Sequence, residues 1–153
     1  MLASALIAFG HFLAFFALTS ALVLQIALLT DSPTIEIAKR IQRADRAYGL
    51  MAILVLLMGF LRVFYFEKGA AYYFDNSYFM IKMGLVVVIG LMSAYPTMTY
   101  LRWNKDIKQG RAPKLSIVAT LWIRKALHYQ LIGIIGVIFC ASMMAHGLGA
   151  CRT

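Results

Sequence analysis

Four ionisable residues, His11, Arg62, Lys82 and His146, stand inside long apolar stretches of this chain. An imidazole can ligate a metal or exchange a proton near neutral pH. Guanidinium and ammonium groups pair with carboxylates. Polar groups placed at membrane depth are costly, which makes them the first candidates for function. Heights follow from a helical rise of about 1.5 Å per residue, counted from the basic end of each stretch. His11 comes out about 28 Å up, Arg62 about 22 Å, Lys82 about 28 Å and His146 about 30 Å. Four different segments therefore bring one ionisable group each to a common layer. His128 falls about 25 Å below His11 and belongs to the opposite end.

Two neutral histidines at one level on antiparallel helices can hold a b-type haem within a bundle. His11 and His146 are the pair whose heights permit it, and so the candidate metal ligands. Arg62 and Lys82 then pair with the propionates, or with the carboxylates of an anionic substrate. Each residue also has a plainer role. Arg62 and Lys82 can snorkel to headgroups. His146 precedes Gly147 and can end a helix, and His11 can be a hydrogen-bonded core histidine among Phe9, Phe12, Phe15 and Phe16.

A second group, Cys140, Met143, Met144, His146 and Cys151, carries soft donors suited to Cu(I). The same spacing makes a helix packing face, and copper is the lesser expectation. Cys140 and Cys151 would lie about 16 Å apart on a helix, too far to bridge. Pro96 predicts a kink, and Gly84 with Gly90, or Gly133 with Gly136, predicts close helix contacts. Phosphate loops, dinucleotide fingerprints, paired-cysteine motifs, zinc-protease motifs and nucleophile elbows are absent from the sequence. All six carboxylates fall outside the apolar stretches.

The elements that must position these residues follow from composition. Of 153 residues, 62% are hydrophobic and 14% charged, with mean hydropathy +0.79. So short a soluble chain has too little interior for that apolar surface, which excludes a water-soluble enzyme. Abundant aromatic and branched residues exclude disorder. Spans of about 20 apolar residues cross a bilayer as helices. They are expected at 1–30, 47–66, 77–101 and 126–148, without the alternation of a barrel strand. The first has no basic leader and is longer than a signal-peptide core. The expected fold is an all-α integral membrane four-helix bundle, a single transmembrane domain over 1–153.

Connections 31–46 and 102–125 hold 11 of the 15 Lys and Arg. The positive-inside rule puts them in the cytoplasm and both termini outside. Trp103 and Trp122 suit the cytoplasmic interface, and Tyr72, Tyr73 and Tyr78 the outer one. The net charge of +9 is explained by topology and anionic headgroups, without nucleic acid. Ser32-Pro33-Thr34 can start a short amphipathic helix, and Leu115–Ile123 can form an interfacial one.

Several motifs occur in a recognisable order. His11 lies in an aromatic-rich first span, and Arg43-Ala44-Asp45-Arg46-Ala47-Tyr48-Gly49 leads into the second. Lys82 comes early in the third, which ends in Ala94-Tyr95-Pro96-Thr97-Met98-Thr99-Tyr100-Leu101-Arg102-Trp103. Over nearly its full length the chain resembles a bacterial family of uncharacterised four-helix inner-membrane proteins. More distantly it is similar to HemJ-type protoporphyrinogen oxidases and CopD-type copper-resistance membrane domains. The HemJ-type resemblance maps onto His11, Arg46 with Tyr48-Gly49, and Lys82. It implies haem b binding and oxidation of a tetrapyrrole. The chain has Pro96 where that family has a histidine after an Ala-Tyr pair.

Two functions are thus expected. One is a haem b redox protein of the bacterial inner membrane, with a tetrapyrrole or quinone-like small molecule as partner. The other is a non-enzymatic transport, copper-handling or partner-binding module, including association with further copies of the chain. A closed, dry bundle with Arg62 and Lys82 turned outward would favour the second.

Overall fold

Helix formation follows directly from the charge-free apolar runs, because a helix satisfies its own backbone inside lipid. The computed structural model describes residues 1–66 and 70–149, with side chains at 1–65 and 71–149. Helix α1 spans Leu2–Leu28, α2 Ile35–Leu61, α3 Ala70–Phe74, α4 Ser77–Lys108 and α5 Ile117–Ala145. A π-helical segment, Arg62–Phe66, continues α2. The four long helices are each long and apolar enough to cross a membrane. Together they form a helical membrane bundle, the expected fold class. Cys151, the last of the soft-donor group, lies outside the described residues.

Local chemistry sets the helix ends. Thr34 caps α2 by accepting from the Ile37 amide at 3.2 Å, with Glu36 in the first turn favouring the helix dipole. Ser116 caps α5 through the Ala119 amide at 3.1 Å. Asn76 caps α4 by accepting from the Tyr78 and Phe79 amides. At the other end of α4, Lys105 and Lys108 sit in the last turn and Gly110 adopts a positive φ of 69°. Thr34 is therefore the start of one long helix rather than of a separate short one. Likewise α5 runs unbroken from Ile117, so the expected interfacial segment at 115–123 is mostly the first turns of a spanning helix.

Packing joins α1 to α2 and α4 to α5 as two tight antiparallel hairpins. The hairpins meet more sparsely, through α1 with α5 and α2 with α4. Two glycines account for the α4–α5 approach. A Cβ at Gly133 would fall 2.8 Å from Ile89 Cγ1, and one at Gly136 3.0 Å from Leu85 Cδ1. Gly84 and Gly90 face open space and do not serve this purpose. Pro96 is buried within a continuous α4.

The main core lies toward the basic end, around Leu22, Ile41, Tyr100, Trp103, Ile123 and Leu127. A smaller cluster of Val63, Tyr73, Phe79 and Met144 lies toward the other end. The basic connections are tied by the Leu115 amide donating to the Asp31 carbonyl at 3.2 Å. At the opposite end the Ser77 amide donates to the Gly149 carbonyl at 3.0 Å. Outward faces carry exposed Phe9, Phe16, Leu50, Leu57, Leu91 and Ile132, while Gln25, Gln42 and Gln130 are buried. Apolar outside with polar inside is the arrangement a lipid surround demands. Trp103 corrects the interfacial reading: it is buried against Tyr100, ring centroids 5.0 Å apart. Trp122 is exposed, with the Lys125 ammonium 5.6 Å from its ring, as an interface residue would be.

Candidate functional site: a cavity between the two hairpins

Because the hairpins meet sparsely, their facing surfaces enclose a cavity of about 470 Å³. All four long helices line it, from Tyr48 and Ser93 up to Val63, Phe79 and His11. Along α4 the lining runs from Phe79 to Ser93, which corresponds to about 21 Å of helix. The wall is almost wholly apolar, built by Phe15, Val55, Met83, Val86, Ile89 and Val137 among others. Phe12, Leu56, Phe60 and Ile138 both line the cavity and are exposed on the bundle surface. These residues mark lateral edges where the cavity borders lipid.

His11 and Lys82 are the ionisable imidazole and ammonium of this wall. The His11 ring lies against α2, where a Cβ on Gly59 would come within 3.4 Å of its Cε1. Its Nδ1 is buried. Lys82 places its ammonium 5.3 Å from the Phe79 ring centroid. Arg62 borders the site, its guanidinium 5.6 Å from the ring of Phe12. In a medium of low polarity such ring faces stabilise cations that have left water.

The layer inferred from helical rise therefore assembles in part. His11 and Lys82 share the cavity, and Arg62 stands beside it on a shared phenylalanine. His146 is at the C-cap of α5, exposed, with Nδ1 2.9 Å from the Ser142 carbonyl oxygen, and lines no part of the cavity. His128 is exposed near the basic end, its Nδ1 2.7 Å from the Arg124 carbonyl oxygen. Among the described residues, no three His, Cys, Asp or Glu side chains gather as a metal site. Cys140 and Met144 are buried while His146 is exposed, so the sulfur-rich group is split between two environments.

Below the cavity floor lies a polar seam that the sequence reading missed. Gln42, Asp45 and Tyr48 recur every third residue on α2 and face Thr97, Tyr100 and Asn104 on α4. Gln42 Nε2 donates to the Tyr100 carbonyl at 2.6 Å and to Asn104 Oδ1 at 3.1 Å. Thr97 Oγ1 donates to Asp45 Oδ1 at 2.9 Å. Tyr48, at the top of this row, lines the cavity. A three-residue recurrence of polar groups on one helix face was the available signal. Counting Asp45 as a connecting-loop acid concealed it.

A family model described as "Predicted membrane protein (DUF2214)" matches residues 3–149. No curated protein and no solved structure matches the chain.

Proposed function

The chain belongs to this family of predicted membrane proteins (DUF2214), and from that premise we propose that its bundle binds an amphipathic small molecule within the bilayer. One observation carries the reading: the 470 Å³ cavity, largely apolar, with the ionisable side chains of His11 and Lys82 in its wall and the hydroxyl-bearing Tyr48 and Ser93 at its floor. Its size is that of pockets for small organic ligands. An apolar interior selects an apolar body, and Phe12, Phe15 and Phe79 suit a planar ring. Lys82 selects a carboxylate or a polarised carbonyl, and the His11 imidazole adds a second hydrogen-bonding group. A tetrapyrrole or a quinone-like molecule combines these features. Entry is from the lipid, past the exposed edge residues.

Haem b is the metal-bearing form of this proposal. A single histidine can suffice to hold haem iron; His11, an imidazole of the cavity wall, would hold it, and Lys82 would pair with a propionate. Bound haem would supply one-electron chemistry. The proposal sets the chain in a bacterial inner membrane, where the positive-inside bias would put the basic connections in the cytoplasm.

The test is the absorption spectrum of the purified protein, followed by titration with haemin and with menadione. Saturable binding is expected, weakened about 10- to 100-fold by Lys82→Met or His11→Ala, the range for a lost charged hydrogen bond. Absence of a Soret band after haemin addition would reject the haem form alone. Failure of every probe to bind, or equal binding by both variants, would reject the cavity reading.

A further inference from the structure

A second recess lies between α1 and α2 near the basic end. It measures about 380 Å³ and is lined by Leu24 and Leu28 of α1 and by Arg40, Arg43 and Ala44 of α2. Its two walls differ in kind. Leu24 and Leu28 belong to the charge-free first span. Arg40 and Arg43 belong to the first turns of α2, at the end of the bundle that carries the basic connections. The recess thus joins a hydrocarbon wall to a cationic one at the basic end of the bundle.

The arginines recur at a three-residue interval, so both side chains lie on one helix face. Both are exposed, and no carboxylate lines the recess. Among the described residues neither guanidinium takes part in a salt bridge. Asp45, two residues beyond Arg43, is engaged with Thr97 on α4 instead. Ala44 is buried and small, which leaves the hollow between the helices open. A paired guanidinium site recognises phosphate oxygens with directed hydrogen bonds. The adjoining leucines offer a surface only to a hydrocarbon chain.

We propose that this recess is a binding site for an anionic phospholipid, its phosphate held by Arg40 and Arg43 and an acyl chain laid along Leu24 and Leu28. The site is separate from the central cavity and does not depend on what that cavity binds. General attraction of basic loops to a charged bilayer is spread over all 11 cations and is indifferent to shape. The recess adds a defined stoichiometry, one lipid per chain, and a requirement for both head and tail.

Native mass spectrometry of the full chain in detergent tests this directly. The protein is titrated with phosphatidylglycerol, phosphatidylcholine or inorganic phosphate. Phosphatidylglycerol is expected to give one retained adduct, phosphatidylcholine a weaker one, and inorganic phosphate none. The double variant Arg40→Gln/Arg43→Gln should weaken the phosphatidylglycerol adduct about 30-fold, from the usual contribution of two interfacial arginines. Arg124→Gln/Lys125→Gln, which removes equal charge away from the recess, should leave the adduct unchanged. Leu24→Trp, at an exposed position, fills the recess with every charge intact and should also abolish the adduct. Equal loss in both charge pairs, or retention by Leu24→Trp, would overturn the proposal in favour of diffuse attraction. Equal binding of inorganic phosphate would overturn the lipid assignment.

Discussion

Thr97→Val tests the seam that fastens the two hairpins beneath the cavity. The substitution keeps the side-chain shape and deletes only the hydroxyl that donates to Asp45 at 2.9 Å. A hydrogen bond to a carboxylate contributes about 1.5–3 kcal/mol. Asp45 is 8% exposed, so little water can replace the lost donor. A destabilisation of about 2 kcal/mol corresponds to a fall in Tm of roughly 4–8 °C for a chain of this length. Thermal unfolding in detergent, followed by the emission of Trp103 in the same core, gives the number. Asp45→Ala should be similarly destabilising, and the double variant should be less unstable than the sum by at least about 0.5 kcal/mol. Strict additivity of the two, or a Thr97→Val midpoint within 1 °C of the parent (about 0.3 kcal/mol on the same scale), would show that the pair contributes nothing.

Further outcomes follow from other contacts. Asn76→Ala removes the cap on the Tyr78 and Phe79 amides and the 3.0 Å bond to the Leu148 carbonyl, and should cost about 1–2 kcal/mol in the same assay. With Trp122→Phe, the remaining Trp103 should resist quenching by aqueous iodide, whereas Trp103→Phe should leave a readily quenched Trp122. Single cysteines at Lys39 or Lys105, in a background with Cys140 and Cys151 replaced, should be labelled only from the cytoplasmic side. Gly133→Leu forces Ile89 aside or parts α4 from α5, and should destabilise by about 1–3 kcal/mol, the usual cost of overpacking.

The four spanning helices were legible because apolar length alone identifies them, and the charge bias grouped the two basic connections. Heights from helical rise brought His11 and Lys82 to one level, and the structure puts both on one cavity wall. Height does not fix azimuth, and this is why His146 escaped the argument. It shares the level yet sits at a helix end, turned to its own Ser142 carbonyl. Trp103 shows the same limit from the other side: residue type suggested the interface, while its helix face buried it. Asp45 was hidden by a boundary assumption, since α2 begins at Ile35 and carries the acid into the bundle. The cavity itself depends on how the two hairpins lean together, and no local pattern encodes that.

The most direct measurement is an organic extract of the purified protein, compared between the parent and Val55→Trp, which places an indole inside the cavity. Mass and absorption spectra of the two extracts identify what each retains. The account predicts that the parent retains a ring-bearing apolar molecule with an acidic or carbonyl group, in about equimolar amount for a single cavity site. The filled variant, folded by its unfolding midpoint, should lack that molecule and fail to take up added haemin or menadione. Identical extracts, with equal uptake of both probes, would contradict a binding cavity between the hairpins.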